Sequence, residues 1–261
     1  MNNDSQEDQS RMDGFYQLKI RQILSFALHQ KGAFWAVLVY MIFEYLRPQQ
    51  MYPVIDVIPW GVTILGVGFL LMILEGRLLS TKNQANLFLN IFFVIILISS
   101  FVALSPSTSF ENLKAIIALL IGYYLLTSVV DTEERLFTLI CFYLLINLKL
   151  SQFVFRGWIG RGFEYDGYSA VAGFAWLRNP GELAVQMCIA FSIGLYFAFS
   201  VRNKPHWLKR CFIWFLPLAA AGSVLACGSR GGFLAFGVVL FLLWWESKRK
   251  IIPSRPMMPI F

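Results

Sequence analysis

Eight stretches of this chain are apolar over so many consecutive residues that a lipid bilayer is the one solvent that suits them. They run from about Ala33 to Leu46, Val54 to Leu74, Asn86 to Ala103, Leu113 to Val130, Leu136 to Leu150, Gly181 to Val201, Trp207 to Cys227 and Phe233 to Trp245. A helix needs about 20 apolar residues to cross the hydrocarbon, within a range of roughly 17 to 25. The first, fifth and eighth runs fall short of this, so their ends are expected to extend into flanking residues. Continuous runs favour helices, because the strands of a membrane barrel alternate in polarity. The expected fold is therefore all-α, a polytopic transmembrane helix bundle of about eight spans. Composition agrees, since 57% of the 261 residues are hydrophobic and only 14% charged, whereas a soluble domain is nearer half apolar and a quarter charged.

The organisation that follows is a cytoplasmic amino-terminal tail over residues 1–32, a transmembrane helical domain over 33–247 and a cytoplasmic carboxy-terminal tail over 248–261. Met1 to Gly14 is polar and carries no cleavable signal pattern. From Phe15 to Leu28 apolar residues at loosely helical spacing alternate with Lys19 and Arg21, which predicts an amphipathic helix on the inner leaflet and contact with membrane lipids. A net charge of +7 from 22 Lys and Arg invites a nucleic-acid reading. Most of those cations sit in short loops between apolar runs, which is the mark of membrane orientation, and no nucleic-acid partner is expected. With the amino terminus inside, 15 of the 22 fall on the cytoplasmic side, so both termini are placed there. The seven outside are Arg47, Lys114, Lys149, Arg156, Arg161, Arg178 and Arg230. Cys141, Cys188, Cys211 and Cys227 lie in apolar runs without metal-site or redox spacing and read as small hydrophobes, and neither metal nor cofactor is expected.

Four of those seven cations belong to the long connection Ser151 to Asn179 and the turn Gly228-Ser229-Arg230-Gly231-Gly232. The connection mixes charges with Phe155, Trp158, Phe163, Tyr165, Tyr168, Phe174 and Trp176, and suits both an interfacial aromatic belt and a substrate-binding loop. It ends in Arg178-Asn179-Pro180-Gly181-Glu182, a helix start with Asn179 as N-cap, Pro180 at the first helical position and Glu182 three residues after the cap. Ser229 before Gly231 and Gly232 repeats the pattern. Arg178 and Arg230 stand at the positive ends of helix dipoles, where a cation is unfavourable unless an anion sits there too. Two arginines and two sets of backbone N–H groups suit a diphosphate, while snorkelling to lipid headgroups is the plainer reading of arginines at a membrane edge. Glu44 and Arg47, three apart, read as a local ion pair, and Ser105-Pro106-Ser107-Thr108-Ser109 as a short turn. His29 and His206 fall inside, far from the arginines, and neither is expected to serve as a general base for outer-face chemistry.

Glu44-Tyr45-Leu46-Arg47-Pro48-Gln49, Asn179-Pro180-Gly181-Glu182-Leu183-Ala184 and Ser229-Arg230-Gly231-Gly232 together resemble the O-antigen ligase and polymerase family, and more narrowly the O-glycosylation ligases found with exosortase systems in Gram-negative bacteria. The resemblance runs from about residue 33 to 250. It implies a multi-pass glycosyltransferase of the bacterial inner membrane, working without a nucleotide-sugar donor or a required metal. Such an enzyme takes a glycan linked to undecaprenyl diphosphate, at the periplasmic face, and gives it to a lipid or protein acceptor. Arg230 matches the family's turn arginine, implied to bind the donor diphosphate, and either Arg178 or Arg161 matches the second. The same resemblance implies further helices and a periplasmic loop with a histidine, so the end at Phe261 reads as a truncated product lacking them. Glu164, Asp166 and Glu44 stay open as a base, a polymerase stays open beside the ligase, and a non-catalytic subunit or transporter is the reading of another class.

Overall fold

The computed structural model describes residues 20–77, 84–165, 179–201 and 207–248, and among these the regular structure is helical throughout. In chain order the helices are α1 (Ile20–Leu28), α2 (Gly32–Tyr45), the four-residue α3 (Pro48–Met51), a 3₁₀ turn at Pro53–Ile55, α4 (Trp60–Leu74), α5 (Gln84–Phe101), α6 (Pro106–Val129), α7 (Glu133–Gly160), α8 (Pro180–Ser200), α9 (Trp207–Cys227) and α10 (Arg230–Lys248). The chain is an all-α, polytopic bundle. Five of the described helices, α5 to α9, are long and apolar enough to cross a bilayer. α5 gives the reason in its side chains. It buries Asn86 and Ser100, while Phe88, Phe92, Ile95 and Ile98 are all more than half exposed. A helix in water does the reverse, so the solvent around α5 is hydrocarbon.

Several boundaries differ from those read in the sequence. α7 runs on to Gly160, so the first ten residues of the supposed Ser151 to Asn179 connection are helix. Ser151 and Val154 are buried, with Phe155 and Trp158 half-buried behind them, a stripe at helical spacing that Arg156 and Gly157 obscure in a hydropathy reading. α6 begins at Pro106 rather than after a turn, because proline suits a first helical position. Arg230, Gly231 and Gly232 form the first turn of α10 instead of a loop. By contrast α2 and α4 stay short, at 14 and 15 residues. The amphipathic segment near the amino terminus is described only from Ile20, as helix α1.

The chain divides into two compact units. One is Gln30–Arg135. In it α2 packs on α4, and α4 and α5 pack on α6. Gly68 makes the α4 contact close, since a methyl group there would lie 2.9 Å from a Leu125 methyl and 3.0 Å from the Ala36 Cβ. Gly66 faces open space and plays no such part. α5 and α6 are joined by Tyr123 donating to Asn86 and Tyr124 to Asn90, each at 2.7 Å. At one end the Arg77 guanidinium donates to the carbonyls of Ser128 at 3.0 Å and Val129 at 3.4 Å, and to Asp131 at 2.8 Å, also facing Glu75 at 3.4 Å. Arg135 completes the cluster with bonds to Asp131, the Val129 carbonyl and Gln30.

The second unit comprises Met1–His29 and Leu136–Phe261. Its core joins Phe137 and Leu144 of α7, Phe197 of α8, and Ile213 and Leu216 of α9, with Ile23 and Phe26 of α1 packed against them. Gly194 and Gly222 mark close approaches among α7, α8 and α9. A methyl at Gly194 would lie 3.4 Å from the Pro217 nitrogen, and one at Gly222 would lie 2.6 Å from the Phe155 ring. Toward the far end of this unit come together the end of α7, the start of α8, the end of α9 and the start of α10.

Candidate functional site

α8 starts where the chain supplies the chemistry for a start. The Asn179 side chain accepts from the Gly181 N–H at 2.8 Å, Pro180 takes the first helical position without needing an acceptor, and the Leu183 N–H reaches the Asn179 carbonyl at 3.1 Å. Glu182 makes no bond back to the cap among the described residues. Its carboxylate is exposed instead.

α10 starts in the same way. Gly228 ends α9 with φ +61°, a left-handed conformation that glycine adopts without strain. Ser229 then accepts from the Gly232 N–H through its hydroxyl at 3.3 Å and from the Phe233 N–H through its carbonyl at 2.9 Å. The N–H groups of Arg230 and Gly231 meet no acceptor among the described residues. A helix leaves its first N–H groups unsatisfied, and these carry about half a positive charge.

These two starts lie side by side. A methyl built at Gly232 would overlap the Ala184 Cβ, and one at Gly181 would lie 3.5 Å from the Ser229 hydroxyl. Small residues on both helices bring the two positive ends together. Between them opens a cleft of about 530 Å³ lined by Asn179, Gly181, Glu182, Val185, Gln186, Ile189, Gly231 and Gly232. The helix-start end of the cleft, its mouth, carries Asn179 and Glu182, while Val185 and Ile189, further along α8, are apolar and exposed. Below the mouth Gln186 donates to the Tyr143 hydroxyl at 2.9 Å and to Asn147 Oδ1 at 3.1 Å, and Ser151 bonds the Met187 sulfur at 3.4 Å.

Arg230 is the first residue of α10 and is exposed at the edge of this cleft, next to Gly231 in its wall. Arg161 lies in the turn that follows α7 and is exposed. That turn is held to the end of α9 by the Tyr165 hydroxyl, which donates to the Leu225 carbonyl at 2.9 Å, three residues before Gly228. Arg178 and Asp166 lie outside the described residues. Of the other carboxylates read as bases, Glu164 is exposed beside Tyr165, and Glu44 makes the expected local pair with Arg47 at 3.5 Å in the other unit. Arg47 itself has φ 43°. Sequence reasoning missed Glu182 and Gln186 as cleft residues. Their spacing of four on one helix face beside the Asn179 cap was the available signal.

The arrangement sets N–H groups of one helix start, free among the described residues, beside a lining that carries the Glu182 carboxylate and the apolar side chains of Val185 and Ile189. Compared with protein-family models, with curated proteins and with solved structures, the chain matches none.

Proposed function

We propose that the chain is a membrane glycosyltransferase of the O-antigen ligase type, which takes a glycan from undecaprenyl diphosphate at the periplasmic face of a bacterial inner membrane and passes it to a lipid or protein acceptor. The observation that carries this reading is the pairing of two helix starts across one cleft, with Arg230 on the second. In the reaction an acceptor hydroxyl oxygen attacks the anomeric carbon and gives its proton to a base, for which Glu164, Asp166 and Glu44 stay open, while the bond from that carbon to the diphosphate oxygen breaks and the diphosphate leaves with the electron pair. Negative charge builds on the leaving oxygen. N–H groups and cations already aimed at that position stabilise it without reorganising, which is the most effective form of electrostatic catalysis. Arg230 supplies one cation, and Arg178 or Arg161 the second. The apolar wall at Val185 and Ile189 suits the first units of the polyprenyl chain.

The test is genetic and chemical together. In a strain lacking the gene, intact glycan polymer left on its lipid carrier identifies a ligase, whereas shortened polymer identifies a polymerase acting at the same site. Restoring the gene with Arg230→Ala, at wild-type level in the membrane, leaves the defect in place. Full restoration by that variant would remove Arg230 from the donor site.

A further inference from the structure

Gln186 stands six residues after Pro180, about 9 Å down α8 at 1.5 Å per residue, and forms part of the cleft wall. Its orientation is dictated from behind. Asn147, only 2% exposed, donates its Nδ2 to the Tyr143 carbonyl in its own helix at 2.8 Å. That bond turns Asn147 Oδ1 toward α8 as an acceptor. Gln186 must therefore meet it with Nε2, at 3.1 Å, and the same nitrogen donates to the Tyr143 hydroxyl at 2.9 Å. Flipping the Gln186 amide would press two acceptor oxygens together in a part-buried site, which costs the hydrogen bond. Both N–H donors of Gln186 are thus committed to α7. Its Oε1 accepts nothing among the described residues, and Gln186 lines the cleft.

We propose that Gln186 Oε1 is a hydroxyl-reading subsite, which accepts a hydrogen bond from a hydroxyl of the sugar carried on the diphosphate, and that Asn147 and Tyr143 are positioning residues that hold it there. The proposal rests on the diphosphate reading of the cleft mouth and names what the donor must carry beyond it. Glu182, one turn nearer the mouth on the same face, adds a second acceptor. Two acceptors a helical turn apart, next to the proposed diphosphate position and interleaved with the apolar Val185 and Ile189, match a ligand with phosphate, a hydroxyl-rich ring and a hydrocarbon chain. A bare lipid phosphate leaves both acceptors without a donor.

Two probes separate these statements: farnesyl diphosphate, and the same lipid diphosphate carrying one glucose. Their affinities are measured on the full chain in lipid nanodiscs. The wild type is expected to prefer the glucosylated probe about tenfold, the scale of one or two net hydrogen bonds. Gln186→Met keeps the side chain's length and removes the acceptor, and Asn147→Leu removes the lock from behind without touching the cleft. Each brings the preference close to one while binding of farnesyl diphosphate stays unchanged, a split that general loosening of the bundle does not produce. A preference retained in both variants, or absent in the wild type, overturns the subsite alone. Failure of both probes to bind the wild type overturns the diphosphate reading and the subsite with it.

Discussion

At the scale of single residues, the cleft depends on what is absent from two glycines. Gly232 lets α10 touch Ala184, and Gly228 turns the chain with a positive φ between α9 and α10. Gly232→Ala is expected to destabilise the folded chain by about 1–3 kcal/mol, because an extra methyl in a packed contact forces the helices apart. Gly228→Ala is expected to cost about 1–2 kcal/mol through its left-handed backbone. Gly237 faces open space within α10, so Gly237→Ala leaves stability unchanged or raises it slightly. Thermal unfolding of the three variants in detergent checks the order, and a Gly237 variant as damaged as the Gly232 one contradicts it. Asn179 and Ser229 were legible in the sequence because capping is local, settled within three residues. Gln186 was not, since its partners Tyr143 and Asn147 lie 43 and 39 residues away.

At the scale of elements, the ends of helices decide where they stop more than hydropathy does. α6 closes with the Ser128 and Val129 carbonyls accepting from Arg77, a side chain 51 and 52 residues earlier. Those carbonyls have no partner within the helix, so the guanidinium serves as a cap delivered from another element. Arg77→Ala is expected to lower stability by about 2–3 kcal/mol, as bonds from a charged donor are lost together with its pairing to Asp131 and Glu75. Arg77→Lys recovers only part of this, because an ammonium cannot span two carbonyls and a carboxylate as a planar fork does. Full recovery by lysine in the same unfolding measurement contradicts the capping role. The runs themselves were plain in the sequence. The continuation of α7 to Gly160 was not, because a helix that packs on neighbours by a stripe tolerates Arg156 on its exposed side.

At the scale of the whole molecule, the apolar surface of α5 and the five long helices make this a multi-pass membrane protein. The cation count proposes its orientation, with the cleft outside. Glu164, exposed just after α7, reports on that side: Glu164→Cys is expected to react with a membrane-impermeant maleimide added to spheroplasts with the inner membrane intact. Labelling only after the membrane is opened reverses the orientation and with it the periplasmic reaction. The paired helix starts are proposed to hold the diphosphate of the donor. Binding of undecaprenyl diphosphate to the chain in nanodiscs tests this most directly. Saturable binding that weakens at least tenfold in Arg230→Ala, with the variant's unfolding temperature unchanged, is the result expected. Equal binding by the wild type and the variant, or none by either, contradicts the claim.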